Sequence, residues 1–316
     1  MRHSLTELLQ IIACPVCHNS PLVISSPEAY LICESCGEQY EIKDGIPIMV
    51  TPSIRARFID SDRESQNELL QRLKNHPLVK RLLRLSNPPT PVLNTGAPRS
   101  FAHLKQQLLE KEQEPMLLVI GSGDKNGRGM HLLGEDLLQS CINLEIAPLD
   151  IVDIVGVGEQ LPLQARTFDA VVIQAVLEHV RYPREVVSEI QRVLKPGGFV
   201  YAEIPFLQAF HAGPGDYRRF TIQGIKVLFE DFEPVLARVC AGPTSTLMNI
   251  VINYLALALS FGNLLVFKLF FRIFGWLLFP FKYLDFLLVR SPIAHILASG
   301  VSFLGRKEDN SAANRH

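Results

Sequence analysis

The pattern of apolar and polar positions in residues 168–204 predicts a strand, a helix and a second strand. Ala170–Ile173 is a short apolar, β-branched run, typical of a strand covered on both faces. Apolar residues then recur at helical spacing, at Val186, Val187, Ile190, Val193 and Leu194. We expect Pro196-Gly197-Gly198 to end this helix and Phe199–Ile204 to form the next strand. The pattern therefore predicts a βαβ unit of an α/β sheet.

An earlier apolar run, Met116–Ile120, leads into the turn Gly121-Ser122-Gly123-Asp124. Ligands of α/β sheets bind beyond the carboxyl ends of the strands, and glycine permits close backbone approach. A lone Gly-x-Gly fits many nucleotide folds. However, Cys141–Ile146 predicts a second strand with Glu145 near its end, about 20 residues beyond the glycines, where a carboxylate meets ribose hydroxyls.

Six segments in this order resemble the class I S-adenosylmethionine-dependent methyltransferases of the methyltransferase type 11-like group. They are GSG, LEI, the LP of Leu161-Pro162, FDAVV, LEHV and RVLKPGG, and they span about Met116 to Phe206. The resemblance implies an α/β fold with a doubly wound, Rossmann-like sheet. It also implies that S-adenosylmethionine binds between the glycine turn and the end of the fourth strand.

The positions of these residues within the family pattern imply which of them contact the cofactor. Gly121, Ser122 and Gly123 would lie at the methionine part, and Glu145 at the ribose. The remaining assignments are Glu159 or Gln160 near the adenine, and Gln174 near the sulfonium.

Two departures from the family pattern concern the same site. Val119 stands where an acidic residue usually precedes the first glycine, and Lys125 replaces the third glycine. The aspartate often found before the Leu-Pro pair is missing, since Gly156-Val157-Gly158 occupies that region. A non-catalytic scaffold of the same fold is therefore an alternative to an enzyme.

Four cysteines near the amino end form two C-x-x-C pairs, Cys14 with Cys17 and Cys33 with Cys36. Their separation matches the four-cysteine zinc ribbon, in which each pair presents two thiolates to one tetrahedral ion. Four thiolates complete the coordination, so we expect a structural zinc. Disulfides or idle thiols are the alternative; short C-x-x-C pairs and the lack of a preceding signal peptide disfavour it.

Residues 5–50 also resemble the small zinc-ribbon activator proteins that accompany some tRNA and protein methyltransferases. The resemblance implies a ribbon, residues 1–50, fused to its enzyme, which stabilises the catalytic domain or shapes the acceptor site. Its charge disfavours RNA binding, because Arg2 and Lys43 stand against six carboxylates. The whole chain has a net charge of -1, so nucleic acid is an unlikely partner.

The remaining cysteines, Cys141 and Cys240, lie in apolar, strand-like surroundings and are interpreted as core residues. Reduced thiols and an intracellular cofactor favour a cytoplasmic location, at the cytoplasmic face of a membrane if the chain binds one. Residues 51–114 are interpreted as a helical linker that precedes a core of residues 115–242. The linker contains a basic cluster, Lys80, Arg81 and Arg84, which could contact anionic lipid or substrate or form a solvated helix face.

The segment after the fifth predicted strand, residues 205–221, combines aromatic, ionisable and turn-forming residues where the fold exposes strand ends. We predict that the methyl acceptor binds here. His211 is the first candidate for the general base, because neutral imidazole can take a proton from a hydroxyl or amine; it could instead cap the loop. Asp216 would orient it, and His179 is the competing base. Three further residues could recognise a carboxylate, phosphate or sugar: Tyr217, Arg218 and Arg219.

The C-terminal region is strongly apolar. Leu247–Phe267 has no charged residue and is long enough to span a bilayer, and Leu269–Phe281 is again apolar. Trp276 and Tyr283 would suit a membrane interface, whereas a helical cap on the domain is the alternative.

The position of this region in the fold restricts how it meets a membrane. Residues 296–307 resemble the last antiparallel strand of the methyltransferase fold, and Pro234–Cys240 the strand before it. Residues 243–294 would then be a hydrophobic helical insertion with both ends on one side of the membrane, which excludes a single crossing. We expect a surface or re-entrant hairpin, followed by the core strand 295–307 and a disordered tail, 308–316.

Together these features predict methyl transfer from S-adenosylmethionine to a small, lipid-linked or glycan-type acceptor. The alternatives are an RNA or protein methyltransferase that uses the ribbon for recognition, and the non-catalytic scaffold.

Overall fold

A computed structural model describes residues 2–25, 30–55, 87–123, 129–211 and 215–309. Several features discussed above lie outside these ranges: the basic cluster Lys80, Arg81 and Arg84 with the part of the linker around it (56–86), Lys125, and most of the predicted tail. The described strands form two sheets, a four-stranded sheet near the amino end and a seven-stranded sheet.

The four-stranded sheet is antiparallel and pairs its strands in chain order. A short helix, α1 (Leu5–Leu8), precedes it, and Ser4 and Glu7 form a capping box at the start of that helix. Another short helix, α2 (Pro52–Arg55), follows the sheet. The strands are β1 (Leu22–Ile24), β2 (Tyr30–Cys33), β3 (Gln39–Lys43) and β4 (Ile46–Pro47).

The seven-stranded sheet has the order β10-β11-β9-β8-β5-β6-β7. The five strands from β9 to β7 run parallel, and β11 pairs antiparallel with both β9 and β10. This confirms the predicted Rossmann-like α/β fold. The strands are β5 (Leu117–Ile120), β6 (Cys141–Glu145), β7 (Ile154–Val155), β8 (Phe168–Gln174), β9 (Leu194–Pro205), β10 (Phe232–Ala241) and β11 (Gly300–Lys307).

Helices cover both faces of this sheet, which is why the central strand β5 is apolar throughout. In β5, Leu118 and Ile120 join the apolar cluster on one face, and Leu117 and Val119 join the cluster on the other. The helices of the α/β core are α3 (Ala97–Leu109), α4 (Glu135–Gln139), α5 (Pro183–Val193) and α6 (Ile222–Leu228).

The crossover helix α5 ends earlier than the sequence pattern predicted. Leu194 is already extended and begins β9, so Pro196-Gly197-Gly198 lies inside the strand rather than at the helix end. Two physical reasons account for this. The residue before a proline disfavours helical geometry, and the fully buried Leu194 pairs with Phe168 at the start of β8.

The small sheet and its flanking segments pack against the β7 edge of the large sheet. The backbone N–H of Met49 donates to Val155 at 2.8 Å, and Gln164 donates to Ile11 at 2.8 Å. One apolar cluster includes buried side chains from both parts, among them Ile12 and Leu161. The amino-terminal module therefore covers an edge strand that would otherwise expose unpaired backbone groups.

A helical insertion separates β10 from β11, as the sequence predicted. Its elements are α7 (Pro243–Ser260), α8 (Leu264–Leu278), a 3₁₀ turn (Phe279–Leu284), α9 (Asp285–Leu288) and a second 3₁₀ turn (Ala294–Leu297). The second turn explains why β11 begins at Gly300 rather than at Ile296. The backbone N–H groups of Thr244 and Ser245 donate to the buried carboxylate of Asp285 at 2.7 and 2.8 Å, which caps α7.

The apolar stretch 247–267 does not form one helix. Phe261 and Gly262 have positive φ angles of 49° and 79°, and a new helix starts after Asn263, which caps it. Within the described residues, the helical stretch that is long and apolar enough to cross a membrane is Leu264–Leu288, with a mean hydropathy of 1.8. Only 6% of that window is buried, which distinguishes it from a core helix.

We expect Asp153→Ala to lower the free energy of unfolding by about 3 kcal/mol, because one buried and one part-buried backbone N–H group would lose their acceptor. The buried carboxylate of Asp153 accepts from His3 and from Asn143, both at 2.8 Å, and so joins the amino-terminal module to the sheet. Urea unfolding of the full chain measures the change. Asp150→Ala, at an exposed position nearby, is the control, and equal stability of both variants would contradict the prediction.

Candidate functional site

A cavity of 260 Å³ lies at the carboxyl ends of β5, β6 and β8. We call it the strand-end cavity. Parallel strands place their carboxyl ends at one edge of the sheet, which is why segments far apart in the sequence meet here. The lining residues on which the following description depends are Gly121, Glu145, Glu159, Val176, His179 and Arg181.

The glycine turn after β5 forms one wall of this cavity. Gly121 has a φ of 73° and Gly123 a φ of 61°, a region that glycine occupies readily. A Cβ atom on Gly121 would lie 2.2 Å from Cγ2 of Val176, whereas one on Gly123 would meet no atom of the described residues within 4 Å. Glycine at position 121 is therefore required both by the backbone angle and by the neighbouring side chain.

Glu145 ends β6 and holds the glycine turn. Its carboxylate accepts from the backbone N–H of Gly123 at 3.0 Å and from that of Ile146 at 2.8 Å. The carboxylate thus lies between the turn and the strand end and lines the cavity. A half-buried hydrogen-bond acceptor at this position suits the hydroxyls of a ribose, which is the group that Glu145 was predicted to contact.

The predicted cofactor residues divide into two sets. Gly121, Glu145 and Glu159 line the strand-end cavity, and Gly123 hydrogen-bonds to Glu145 beside it. Three others do not line it: Ser122, Gln160 and Gln174. The side-chain amide of Gln174 is buried and has no hydrogen-bond partner among the described residues. The sequence analysis did not assign Val176 and Arg181 to the cavity, although both belong to the segment that directly follows β8.

Glu178 lies between the two candidate base residues. Its carboxylate oxygen Oε1 is 3.8 Å from Nε2 of His179 and 3.9 Å from Nε2 of His211, and the two rings meet edge to face. We call these three residues the Glu-His-His cluster. The Glu178 side chain has no exposed surface. Burial raises the pKa of its carboxyl, and the neighbouring histidines act in the opposite direction.

The sequence analysis did not select Glu178, although LEHV places a carboxylate and an imidazole side by side just after a strand. His211 lies in the loop after β9 and contacts the same carboxylate of Glu178. Because His179 also lines the strand-end cavity, the Glu-His-His cluster adjoins the cavity. The structure therefore brings the two competing base candidates, His211 and His179, to one carboxylate.

Asp216 lies in the segment after β9, residues 205–221, which we call the acceptor loop because the methyl acceptor is predicted to bind there. It contacts the backbone of this loop and Arg219. It accepts from the backbone N–H of His211 at 2.8 Å and from Nη2 of Arg219 at 2.7 Å. These arginine hydrogen bonds hold the pKa of the Asp216 carboxyl far below its usual value. The ring nitrogen Nδ1 of His211 is 3.9 Å from Asp216. Asp216 therefore positions the backbone of His211 rather than its ring.

The two arginines of this loop also make internal contacts. Arg218 donates to the backbone carbonyls of Val180 and Arg181, and Arg219 donates to the carbonyl of Ala209 and to Asp216. In this conformation they hold the loop against the segment after β8. The predicted recognition of an anionic acceptor group by Arg218 and Arg219 therefore has no support from their contacts.

The four predicted zinc ligands, Cys14, Cys17, Cys33 and Cys36, converge at one point. Their sulfur atoms all lie within 4.8 Å of one another, and the pairs Cys14–Cys36 and Cys17–Cys33 are 3.5 Å apart. All four thiols are free, since a disulfide would bring two sulfurs to about 2.05 Å. Four sulfurs around a tetrahedral zinc lie about 3.8 Å apart, so this donor set fits the ion.

Comparison with known proteins identifies both parts of the chain. Residues 125–202 match a family model described as a methyltransferase domain, and residues 6–45 match one described as a Trm112p-like protein. A UPF0434 protein of Stutzerimonas stutzeri is 38% identical over 55 residues, which cover 17% of this chain and 88% of that protein. A UPF0434 protein of Pseudomonas savastanoi is 41% identical over 59 residues, with 19% and 95% covered.

Among solved structures, a Burkholderia thailandensis 1,6-didemethyltoxoflavin-N1-methyltransferase is similar over 89% of this chain and 100% of its own, at 14% identity and a TM-score of 0.40. The fold and the strand-end cavity, together with the family matches, define an S-adenosylmethionine-dependent methyltransferase. The amino-terminal module is Trm112p-like and related to the UPF0434 proteins, and it is fused to this methyltransferase domain.

We expect Gly121→Ala to weaken binding of S-adenosylhomocysteine at least about tenfold, because the new methyl group would collide with Val176 and the residue would keep a left-handed backbone. Calorimetric titration measures this affinity. Gly123→Ala is the matched control, since it carries the same kind of backbone strain without a collision and should lose less affinity. Equal losses in the two variants would show that the contact with Val176 is unimportant.

Proposed function

We propose that this methyltransferase transfers the methyl group of S-adenosylmethionine to a hydroxyl or amine of a small, lipid-linked or glycan-type acceptor. One observation carries the proposal: His179 belongs both to the strand-end cavity and to the Glu-His-His cluster. A methyl donor in the cavity would therefore lie next to groups that can handle the acceptor's proton. The residues proposed to hold the cofactor are those of the glycine turn and Glu145.

The reaction requires little from the protein beyond the alignment of the acceptor with the methyl donor. The acceptor's oxygen or nitrogen attacks the methyl carbon in line with the carbon–sulfur bond, which breaks and leaves sulfur as a neutral thioether. The acceptor gives up one proton. In a metal-free cluster, Nε2 of His211 receives it, and the adjacent carboxylate of Glu178 stabilises the imidazolium.

The contacts of the acceptor loop favour a lipid-linked acceptor. The backbone N–H of Ala209, two residues before His211, donates to Asn249 of α7 at 2.9 Å, and Gln208 donates to the carbonyl of Ser299 at 3.0 Å. The loop that carries His211 is thus attached to the helical insertion. An acceptor delivered at the insertion would lie close to the Glu-His-His cluster.

The exposed surface of the insertion supports the proposed contact with a membrane. Its helices expose many large apolar side chains, and Phe261, at the turn between α7 and α8, is 93% exposed. A soluble monomer rarely exposes a patch of this kind without a partner. Both ends of the insertion join neighbouring strands of one sheet, so we propose a surface or re-entrant hairpin. Further exposed members are Tyr254, Leu257, Leu264, Leu265 and Leu287.

A second cavity, of 680 Å³, supports contact with anionic lipid. It lies between the insertion and the start of α3, and its lining includes three arginines and a histidine but no carboxylate. Such a set attracts phosphate oxygens. The four residues are Arg99, Arg238, Arg290 and His295.

The Trm112p-like module is proposed to stabilise the catalytic domain in cis. Its backbone contacts with β7, and its shared apolar core with the sheet, support this role. We propose that its four cysteines bind a structural zinc and that they take no part in methyl transfer.

The proposed reaction is tested by supplying the full-length protein with methyl-labelled S-adenosylmethionine and a lipid or glycan extract. We expect one extract component to gain the mass of one labelled methyl group, as measured by mass spectrometry. Gly121→Ala should abolish most of this gain. If calorimetry detects no binding of S-adenosylhomocysteine, the protein is a scaffold; retention on RNA with a steep salt dependence would indicate a nucleic-acid substrate.

Membrane contact is tested by flotation with vesicles that contain anionic phospholipid. The wild-type chain should float with the vesicles, and the double variant Phe261→Ser/Leu265→Ser should bind at least about tenfold more weakly, because each buried side chain of this size contributes about 1.5–3 kcal/mol. The control changes Leu109, an apolar residue that is 49% exposed and lies on α3, to serine. A wild-type chain that stays in the vesicle-free fraction would contradict the proposal.

A further inference from the structure

We propose that the Glu-His-His cluster binds a divalent cation at the acceptor end of the site. One carboxylate oxygen of Glu178 and one ring nitrogen from each of His179 and His211 lie within 4.8 Å of one another. Ligand atoms around a tetrahedral ion lie about 3.4 Å apart, so the 3.8 and 3.9 Å separations need only small side-chain rotations.

The hydrogen bonds of the two histidines leave the nitrogens that face Glu178 available. Nδ1 of His179 contacts the backbone carbonyl of Gly215, and Nδ1 of His211 contacts that of Ala209 at 3.1 Å. A carbonyl only accepts, so Nδ1 of His179 carries the hydrogen and its Nε2 keeps its lone pair. Nδ1 of His211 also lies 3.4 Å from Nη2 of Arg219, and Nε2 is the nitrogen of this ring that faces Glu178. A second ring nitrogen held by a backbone carbonyl is the usual arrangement of histidines that bind metals.

Glu178 supplies an independent observation. Its side chain is fully buried, and neither carboxylate oxygen accepts a hydrogen bond from any described residue. A buried carboxylate without donors is costly, and a cation at this position would satisfy it. The nearby Arg219 is hydrogen-bonded to Asp216 and does not donate to Glu178.

Two imidazoles and one carboxylate suit borderline divalent ions such as Mn²⁺, Fe²⁺, Co²⁺ or Zn²⁺, and three protein ligands leave coordination positions open. His179 lines the strand-end cavity, so the open positions adjoin the proposed methyl donor. This inference rests on the proposed function, from which it takes the position of the methyl acceptor. It specifies an acceptor hydroxyl, whose oxygen binds the cation and whose proton leaves to solvent instead of to His211.

Binding of Mn²⁺ to the full-length protein tests the proposal. Thiolates prefer zinc, so the protein is first dialysed against a weak chelator until one zinc per chain remains, which leaves the cysteine site filled. Electron paramagnetic resonance then measures the loss of the free Mn²⁺ signal. We expect one Mn²⁺ per chain for the wild type and at least about tenfold weaker binding for Glu178→Gln and for His211→Gln.

His211→Gln keeps the test decisive even if the buried Glu178→Gln variant unfolds, because the side chain of His211 is 43% exposed. His131→Gln, at an exposed position outside the cluster, should bind Mn²⁺ like the wild type. No binding by the wild type, or equal binding by all variants, would overturn the cation site. Titration with S-adenosylhomocysteine in the same buffer separates the two proposals. If the protein binds S-adenosylhomocysteine but not Mn²⁺, only the cation site is rejected. If it binds Mn²⁺ but not S-adenosylhomocysteine, the proposed methyl transfer is rejected.

Discussion

The parallel register of β5, β6 and β8 is the constraint on which the rest of the structure depends. Leu117 of β5 lies opposite Cys141 of β6 on one side and Ala170 of β8 on the other, so the three strands end at one edge. The glycine turn, Glu145 and the segment from Ala175 to Arg181 meet there for this reason. Because side chains alternate between faces, a slip of one residue would exchange the two apolar clusters. The burial of both faces therefore fixes the cavity as well as the fold.

The amino-terminal module completes this sheet. It covers the β7 edge with backbone hydrogen bonds and contributes to the same apolar cluster, and Asp153 joins the first residues of the chain to β6. The strand that it covers follows Glu145 and precedes the Gly156–Glu159 part of the cavity wall. A module in this position can influence the cofactor site without contributing a residue to it. Fusion in one chain keeps the edge covered at every protein concentration.

The loop after β9 links the proposed chemistry to the helical insertion. In this loop, His211 lies beside Glu178, and the backbone N–H of Ala209, two residues earlier, donates to Asn249 of α7. Asp216 and Arg219 pair with each other and contact the backbone of His211 and Ala209. A change at the helical insertion can therefore alter the geometry at the site through few intervening contacts.

The sequence by itself determined the α/β class, the four converging cysteines and the placement of an apolar insertion between two antiparallel strands, because these follow from local periodicity and short spacings. Only the tertiary structure brought His211 to Glu178, since the 32 residues between them impose no distance of their own. It also paired Arg218 and Arg219 with backbone carbonyls of the chain, left Ser122, Gln160 and Gln174 out of the cavity lining, and broke 247–267 into two helices at Phe261. At a strand end, side-chain direction depends on the turn that follows, and here Ala175 has a positive φ of 53°. Packing sets such angles, and the order of residue types does not encode them.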